Sequence, residues 1–329
     1  MRTLTVGRND AGQRLDKFLT KALPTLPTSL MYKYIRTKKI KLNRKRAEQK
    51  TMLSEGDEIQ LFIREEFFDK PEKDLGALYR IRPKLSIVYE DENILLLDKR
   101  PGVLCHEDKE GGENTLIMHV KAYLAQNGEY DPDDEQSFAP SLCNRIDRNT
   151  GGIVIAAKNA EALRVMNDKI KYRELTKLYL CAVHGSPKKR EDTLHGFLSK
   201  DSDANKVEVS DKYIKGYKEI ATKYRVLSSK NGLSLLEVDL LTGRTHQIRA
   251  HMAHIGCPLL GDGKYSQNRD DRQRGYKYQA LYTYRLKFKF DIEKEETALD
   301  YLSGKEFEVP RENIWFLKEF EEKVEKAIK

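Results

Sequence analysis

Long apolar runs are missing from this sequence of 329 residues. No stretch approaches the roughly 18 apolar residues that a membrane-spanning helix needs. The first residues, Met1 to Asn9, also lack the apolar core of a secretory signal. We therefore expect a cytoplasmic protein that does not insert into a membrane.

Cysteine is scarce as well, and the sequence contains no C-x-x-C pair, no internal repeat and no low-complexity tract. The four cysteines, Cys105, Cys143, Cys181 and Cys257, are scattered through apolar or mixed surroundings. Disulfides are not expected in a cytoplasmic chain. We therefore interpret these residues as small buried hydrophobic side chains.

Positive charge, in contrast, is concentrated at the N-terminus. Residues 1–63 hold eight Lys and six Arg against three Asp and three Glu, and the resulting net charge of +8 equals that of the whole chain. Exposed faces normally mix both signs, so a block of one sign favours a polyphosphate partner such as a nucleic acid. An acidic protein or a membrane surface is the alternative on charge alone.

The same 63 residues have the periodicity of a small unit of helices and strands. The helical spacing from Leu15 to Leu23 predicts a helix that ends at Pro24, and a second helix is expected to begin at a cap formed by Thr28-Ser29. Residues 39–43 and 58–63 alternate in the way that strands do.

The segments GQRLDKFL, TSLMYKYIRTKKIKLNRKRA and LSEGDEI resemble, in order and spacing, the S4-type RNA-binding domain. The resemblance implies that the second helix and the following basic strand face RNA. The candidate RNA-binding residues are the basic ones of this stretch, Lys33, Arg36, Lys38, Lys39, Lys41, Arg44, Lys45 and Arg46.

After a predicted linker over residues 64–84, residues 85–329 have the pattern of a second, larger domain. Predicted strands lie near 93–98, 152–157, 178–183, 221–227 and 233–241, and predicted helices over 115–126, 160–171, 245–255 and near the end of the C-terminal tail. Asn231-Gly232 is a hairpin signal between the last two strands. Strands joined by hairpins, with helices interspersed, predict an α+β fold with a mixed, mainly antiparallel sheet.

The first polar cluster of this domain is NRIDRNTGG, residues 144–152, which leads into the apolar run 153–157. It puts Asp147, flanked by Arg145 and Arg148, on a tight turn at the mouth of a buried strand. Loops held by a rigid sheet often carry reactive groups, and nearby arginines favour an ionised carboxylate. An ordinary turn with exposed salt bridges is the competing interpretation.

The second cluster, LTGRTHQIRAHMAHIGCP over residues 241–258, predicts a helix on which Arg249 lies beside an apolar stripe. Its three histidines and Cys257 raise the alternative of a zinc site in a metal hydrolase. The spacing H-x4-H-x2-H-x2-C matches no common zinc site, and His246 and His251 lie about 140° apart on a helix. We therefore predict no metal and interpret the histidines as cap and surface residues.

The third cluster is TKLYLCAVHG, residues 176–185, in which alternation puts Tyr179 on the opposite face from Leu178 and Leu180. Taken alone, a tyrosine in a strand is usually part of a core. Together with the other two clusters and with IVYEDENILLLDKRPGVLCH, it resembles the RluA family of pseudouridine synthases over about residues 85–265, most like the branch that acts on large-subunit ribosomal RNA.

That resemblance implies a role for each matched residue. Asp147 matches the catalytic aspartate, Tyr179 the tyrosine that packs on the target uracil and is proposed to act late as a base, and Arg249 the basic residue that pairs with the aspartate. Arg145 matches the arginine that fills the gap left by the extracted base. No cofactor is implied, and the expected partner is RNA, ribosomal or possibly transfer RNA, rather than DNA or a membrane.

The sequence departs from the family pattern at three positions. Asn144, Ile146 and Gly151 stand where the family usually has His, Leu and Ser. These changes keep a polar side chain, an apolar volume and a turn, and they leave the carboxylate in place. We expect a monomeric enzyme; a non-catalytic RNA-binding assembly factor with the same fold is the alternative.

Overall fold

Two separate sheets organise the chain, one of four strands near the N-terminus and one of eleven strands. The computed structural model describes residues 1–69, 76–107, 114–132, 136–201, 206–292 and 296–320, and both sheets lie within these ranges. None of the helices in these ranges is long and apolar enough to cross a membrane.

The four-stranded sheet and two helices form the N-terminal unit. Its elements are β1 (Arg2–Thr5), a 3-10 turn (Arg8–Asp10), α1 (Leu15–Ala22), α2 (Thr28–Arg36), β2 (Ile40–Leu42), β3 (Lys45–Arg46), β4 (Glu58–Leu61) and a 3-10 turn (Glu65–Phe68). The strand order is β1-β4-β2-β3, and every pairing is antiparallel. Apolar residues of both helices and of β2 and β4 close one core.

The predicted elements of this unit are confirmed, with one local error. Helix α1 ends two residues before Pro24, as its spacing predicts, and α2 begins at Thr28. Pro27 holds the N-cap position of α2, and no side-chain hydrogen bond caps the helix. The prediction of a cap formed by Thr28-Ser29 was therefore wrong: proline already fixes the backbone angle that a helix entry requires.

The larger unit combines the eleven-stranded sheet with helices on both faces. Its helices are α3 (Gly76–Arg80), α4 (Leu116–Gln126), α5 (Ala160–Lys171), α6 (Gln247–His254) and α7 (Arg269–Gln273). Its strands are β5 (Ile87–Glu90), β6 (Ile94–Lys99), β7 (Ser141–Leu142), β8 (Gly151–Ala157), β9 (Leu175–His184), β10 (Glu191–Asp201), β11 (Lys206–Ser210), β12 (Lys218–Lys230), β13 (Leu233–Leu240), β14 (Leu281–Phe288) and β15 (Glu306–Glu308). Each predicted strand and helix between residues 93 and 255 is present.

Antiparallel pairing dominates the large sheet, as the sequence predicts. The strand order is β11-β10-β12-β13-β9-β14-β8-β6-β5, with β15 beside β14 and β7 beside β8. Only the short pairing of β14 with β8 is parallel among the described strands. At the hairpin between β12 and β13, Asn231 and Gly232 both have positive φ, which is the geometry that this pair favours.

The faces of β9 contribute to two different cores, which matches the predicted alternation. Leu180 and Ala182 belong to the largest core, whereas Tyr179, Cys181 and Val183 face a smaller one that α6 closes. The middle of the large sheet is therefore covered on both sides, which fixes the position of β9.

Segments with weak patterns also pack against these cores. Within the predicted linker 64–84, α3 buries Leu78 against the core that includes α4, while residues 70–75 lie outside the described part. In the tail, Ile314, Phe316 and Phe320 are buried in the largest core. The helix predicted near the end of the chain falls on residues 321–329, which also lie outside the described part.

Asp10 joins the two units. Its side chain is 1% exposed, and its carboxylate accepts hydrogen bonds from the backbone N–H groups of Gln136, Ser137 and Phe138 at 3.0, 3.0 and 2.7 Å. The Ser137 hydroxyl donates a fourth at 2.6 Å. Arg164 of α5 also donates to the carbonyl of Gly12 at 3.1 Å. The N-terminal unit is thereby held against the larger one.

Candidate active site

Asp147 lies in the loop between β7 and β8, at the start of a strand that is buried along its whole length. The Thr150 N–H donates to the Asp147 carbonyl at 3.0 Å and closes the turn. The Asp147 side chain is 27% exposed. The loop is thus fixed by the sheet while its carboxylate stays accessible.

Helix α6 brings Arg249 to this carboxylate from 102 residues further along the chain. Its Nη1 donates to Asp147 Oδ2 at 3.0 Å. On the other edge of the guanidinium, Nε and Nη2 donate to the two carboxylate oxygens of Asp262 at 2.7 and 2.9 Å. Asp262 is fully buried, so Arg249 is held between one buried carboxylate and one accessible carboxylate.

Electrostatics keeps this arrangement charged. Burial opposes a charged Arg249, but the hydrogen bonds and charges of Asp262 and Asp147 outweigh that effect and raise the pKa of Arg249. Burial also opposes a charged Asp262, yet hydrogen bonds from Arg249 lower the pKa of Asp262. A fixed cation therefore faces Oδ2 of Asp147, while Oδ1 accepts no hydrogen bond from the described residues.

Tyr179 lies on β9 between its backbone partners Val238 of β13 and Thr283 of β14. Its side chain is buried and lines the same cleft as Asp147. Burial raises the pKa of Tyr179 to about 12, and the charge of Asp147 adds to the shift. The phenol is therefore neutral near pH 7, which suits a ring that packs on a base better than one that accepts a proton.

His246 was missed by the sequence analysis, which interpreted it as a cap or surface residue. It occupies the N-cap position of α6 with φ of 54° and ψ of 17°, yet its side chain makes no cap. The side chain is only 9% exposed and lines the cleft, with Nε2 3.8 Å from Asp147 Oδ2 and Nδ1 2.8 Å from the Tyr265 hydroxyl. A left-handed backbone turns this side chain inward, which helical periodicity could not indicate.

The other two histidines of the cluster have separate hydrogen-bond partners. His251 is buried with Nδ1 3.0 Å from the Thr222 hydroxyl, so the prediction of a surface residue was wrong for it as well. His254 is near the surface and contacts Asp211. Across the described ranges, no group of three or more His, Cys, Asp or Glu side chains is arranged to hold a metal ion.

Lys99 holds the backbone of the Asp147 loop through hydrogen bonds, a role that the sequence did not indicate. It is 1% exposed, and its Nζ donates to the carbonyls of Val103 and Arg148 at 2.9 Å and of Arg100 at 3.2 Å. Burial lowers the pKa of Lys99 to about 8. A lysine at the end of a buried strand, shortly before a Pro-Gly turn, was the available signal.

Two departures from the family pattern have structural reasons. A Cβ on Gly151 would lie 2.2 Å from the ring of Tyr282, which fills the space that a side chain there would need. Tyr282 is itself fixed by a 2.6 Å hydrogen bond to the buried Asp98. Asn144 Oδ1 accepts from the N–H of Ile155 at 2.8 Å, so its side chain ties the loop to β8.

The cleft around Asp147 has a volume of about 1680 Å³ and is rich in positive charge. Arg145 and Arg148 are exposed at one rim, and the remaining basic side chains that line it are Lys171, Arg173, Lys177, Arg244, Arg249 and Lys264. Arg145 is thus in the same cleft as Asp147, Tyr179 and Arg249. A groove of this size and charge suits a polyanion larger than a free nucleotide.

The predicted RNA-binding residues of the N-terminal unit form a second surface, which we call the basic face: Lys33, Arg36, Lys38, Lys39, Lys41, Arg44, Lys45 and Arg46. All are exposed except Lys41, which is half-buried. Asn43 and Arg44 adopt positive φ in the tight turn between β2 and β3, which projects the turn outward. The Nζ atom of Lys39 lies 5.3 Å from the centre of the Tyr34 ring, which is a cation–π contact within the basic face.

Two family models match the chain. The model described as RNA pseudouridylate synthase matches residues 93–254, and the S4 domain model matches residues 13–59. The first match contains Asp147, Tyr179 and Arg249, and the second contains the basic face.

Curated relatives share most of the chain's length. An uncharacterized RNA pseudouridine synthase of Mycoplasma genitalium is 34% identical over 86% of this chain and 88% of its own. The ribosomal large subunit pseudouridine synthase C of Salmonella typhi is 29% identical over 91% of this chain and 93% of its own. The ribosomal large subunit pseudouridine synthase C of Vibrio parahaemolyticus is 29% identical, with 80% of each chain covered.

A solved structure shares the fold. Human RNA Pseudouridylate Synthase Domain Containing 4 superimposes with a TM-score of 0.55 at 20% identity, covering 75% of this chain and 95% of its own. Together with the motifs and the cleft, these similarities show that the chain is an RNA pseudouridine synthase of the RluA family with an N-terminal S4 domain.

Proposed function

We propose that this enzyme isomerises specific uridines of large-subunit ribosomal RNA, with Asp147 as its catalytic carboxylate. The observation that carries the proposal is the contact of Asp147 Oδ2 with the doubly paired Arg249, inside a basic cleft that Tyr179 also lines. The choice of RNA rests on the relatives that are named as large-subunit synthases.

The reaction requires one carboxylate as its chemically reactive protein group. The bond between uracil N1 and ribose C1′ breaks, and its electron pair leaves with the uracil. Asp147 then either bonds to the electron-poor C1′, as carboxylates do in glycoside cleavage, or removes a proton from C2′. The rotated uracil then bonds through C5 to C1′, while the Asp147–C1′ bond breaks or the proton returns from Asp147 to C2′. The hydrogen of C5 is released as a proton, and N1 takes up a proton from water.

The surrounding side chains would hold the reactants in place. Arg249 occupies Oδ2, which leaves Oδ1 to face the sugar. Packing of the Tyr179 ring against the detached uracil would retain it, since base stacking on an aromatic ring contributes about 1–3 kcal/mol. Arg145 is exposed at the rim, where it can enter the space that an extracted base leaves.

The N-terminal S4 domain would supply affinity that does not depend on sequence. Its basic face is free of ion pairs within the described part of the chain, so its charges remain available to phosphates. Phosphate contacts position a protein on RNA, while base and shape contacts select the site. We expect the enzyme to act as a cytoplasmic monomer on structured RNA.

Asp147→Asn tests the assignment. We expect the rate of pseudouridine formation on ribosomal RNA to fall by about 10²- to 10⁴-fold or more, because Asn can neither bond to C1′ nor accept a proton. RNA affinity should change only a few-fold. Tritium released from RNA labelled at uracil C5 measures the rate, and normal turnover by the variant would refute the assignment.

Asp192→Asn is the matched control, since Asp192 pairs with Lys189 and does not line the cleft. Its rate should equal that of the wild type. A wild-type protein that binds ribosomal RNA but releases no tritium would instead support the non-catalytic alternative. Mapping pseudouridines in ribosomal RNA from cells that lack the gene identifies the target uridines.

A further inference from the structure

The hydrogen bonds around Tyr265 favour one tautomer of His246. The backbone N–H of Val207 donates to the Tyr265 hydroxyl oxygen at 3.0 Å. The hydroxyl hydrogen is thus left for His246 Nδ1, which lies 2.8 Å away and is the acceptor that the structure provides. A neutral imidazole that accepts at Nδ1 carries its proton at Nε2.

His246 has the surroundings of a neutral imidazole. Burial lowers the pKa of His246 to about 4, with Arg249 and Lys264 adding to the effect and the charges of Asp147 and Asp262 opposing it. The left-handed backbone and the edge-to-face contact with the Tyr265 ring, at 5.7 Å between centroids, hold the imidazole in one orientation. A fixed neutral N–H donor therefore faces the cleft beside Asp147.

The 3.8 Å between His246 Nε2 and Asp147 Oδ2 is longer than a hydrogen bond. A hydroxyl group placed against both atoms could accept from Nε2 and donate to the carboxylate, at ordinary hydrogen-bond distances. In a target nucleotide whose C1′ faces Asp147, the group nearest to that position is the ribose 2′-hydroxyl. It is both a donor and an acceptor, and a deoxyribose lacks it.

We propose that His246 recognises the 2′-hydroxyl of the target uridine and so makes the active site selective for ribose. The proposal rests on the proposed function, because it takes Asp147 to face C1′. The imidazole donates through Nε2–H to the 2′-oxygen, and the 2′-hydroxyl donates to Asp147. Tyr265 is a positioning residue that fixes the imidazole tautomer.

The test is a set of dissociation constants in the Asp147→Asn background, where no turnover disturbs binding and residue 147 still offers an acceptor. The probe is a synthetic hairpin copied from large-subunit ribosomal RNA around a mapped target uridine, in one form with uridine and in another with 2′-deoxyuridine at that position. With His246 present, we expect the deoxy form to bind about 3- to 10-fold more weakly, as the loss of one neutral hydrogen bond predicts.

Two variants at residue 246 distinguish loss of the contact with the 2′-hydroxyl from a disturbed backbone. His246→Asn keeps a residue that tolerates positive φ but is too short to reach the 2′-hydroxyl. The preference for the uridine hairpin should therefore fall well below that of the parent protein, to what the contact with residue 147 alone contributes. His246→Gln carries an amide N–H near the position of Nε2 and should retain most of the preference. An unchanged preference in His246→Asn, or equal binding of both hairpins by the His246 protein, would overturn the proposal.

Tyr265→Phe keeps the test decisive if His246→Asn does not fold. Without the hydroxyl, the imidazole tautomer is no longer fixed, and the preference for the ribose form should fall below that of the parent protein. An undiminished preference would count against the proposal. Tritium release by the protein with Asp147 intact is measured in parallel, so inactivity would remove the proposed function while the binding ratios still report on the hydroxyl contact.

Discussion

The basic face and the active-site cleft hold positive charge in opposite ways. On the basic face, cations from adjacent stretches of sequence are exposed and form no ion pairs within the described residues. In the cleft, Arg249 is buried between Asp147 and Asp262, which lie 102 and 13 residues away in the sequence. Affinity for a polyanion needs accessible charge, whereas chemistry on a sugar needs a charge that is fixed.

Exposed and buried charges also contribute differently to stability. Exposed, unpaired cations can be exchanged at little cost to the fold, since surface charges contribute about 0–1 kcal/mol. A buried ion pair resists the loss of either partner, because the remaining charge has neither water nor a counterion.

Asp262→Asn should damage the cleft most. It leaves the Arg249 guanidinium buried without its bidentate partner, and we expect the free energy of unfolding to fall by about 3–5 kcal/mol. Pseudouridine formation should fall as well, since Arg249 loses the contact that orients it towards Asp147. Urea unfolding and tritium release measure the two effects.

Asp211→Asn serves as the control, because Asp211 is 80% exposed where it contacts His254. The free energy of unfolding should change by less than about 0.5 kcal/mol. A similar small effect for Asp262→Asn would show that the buried pair is not a constraint on the cleft.

The buried imidazole of His251 should make the free energy of unfolding depend on pH. Burial lowers its pKa to about 4, whereas an unfolded chain protonates this imidazole near pH 6.5. Between these two pH values the unfolded state binds more protons than the folded state. The contribution of neutral His251 to the free energy of unfolding is therefore complete above about pH 6.5. It is lost as the pH falls towards 4, by up to about 3 kcal/mol.

Urea unfolding of wild type and His251→Gln, above pH 7 and near pH 4.5, isolates this residue from other titrating groups. The variant should lose less stability on acidification than the wild type, since Gln does not titrate. Equal losses would mean that His251 titrates alike in both states.

Asp10→Ala should separate the two regions. The carboxylate satisfies three backbone N–H groups of the larger unit, and each unsatisfied buried donor costs about 1–3 kcal/mol. We expect the S4 domain to become mobile, which small-angle scattering would detect as a larger radius of gyration, and affinity for ribosomal RNA to fall. Glu55→Ala, an exposed change in the same domain, should leave both measurements unaltered.

Replacing Lys33, Lys38 and Lys45 by Ala should have the smallest effect on the fold and a specific effect on binding. Each phosphate contact on single-stranded RNA adds about 0.7 to the slope of log affinity against log salt. The slope should therefore decrease by up to about 2, with unfolding unchanged.

The matched control removes the same charge from exposed lysines of the larger unit, Lys188, Lys212 and Lys215, which do not line the cleft. Its salt dependence should stay at the wild-type value. Equal slopes for the two triple variants would mean that net charge, rather than the basic face, governs RNA binding.

Local patterns were sufficient for much of the molecule. Helix α5 begins and ends at the predicted residues, and the two faces of β9 join two cores as its alternation indicates. In contrast, β5, β7, β10, β11, β14 and β15 were not predicted, and the tail was given no packing role. Their residues are buried or exposed through neighbours far along the chain, which a short sequence window does not contain.

The candidate site shows the same division. The motifs indicate Asp147, Tyr179 and Arg249 as separate candidates through the family resemblance, but they give no indication of Asp262, Lys99 or the inward turn of His246. Asp262 and His246 act through pairings that form when the segment after α6 folds back onto that helix.

By itself, the sequence determined the α+β class, the charged N-terminal unit and the residues available for chemistry, because periodicity, charge and motif order are local properties. Tertiary structure alone decided that a second carboxylate, Asp262, pairs with Arg249, which histidine enters the cleft and how Asp10 joins the two units. These outcomes depend on contacts between distant segments, where burial determines whether a charge is paired and an imidazole is neutral.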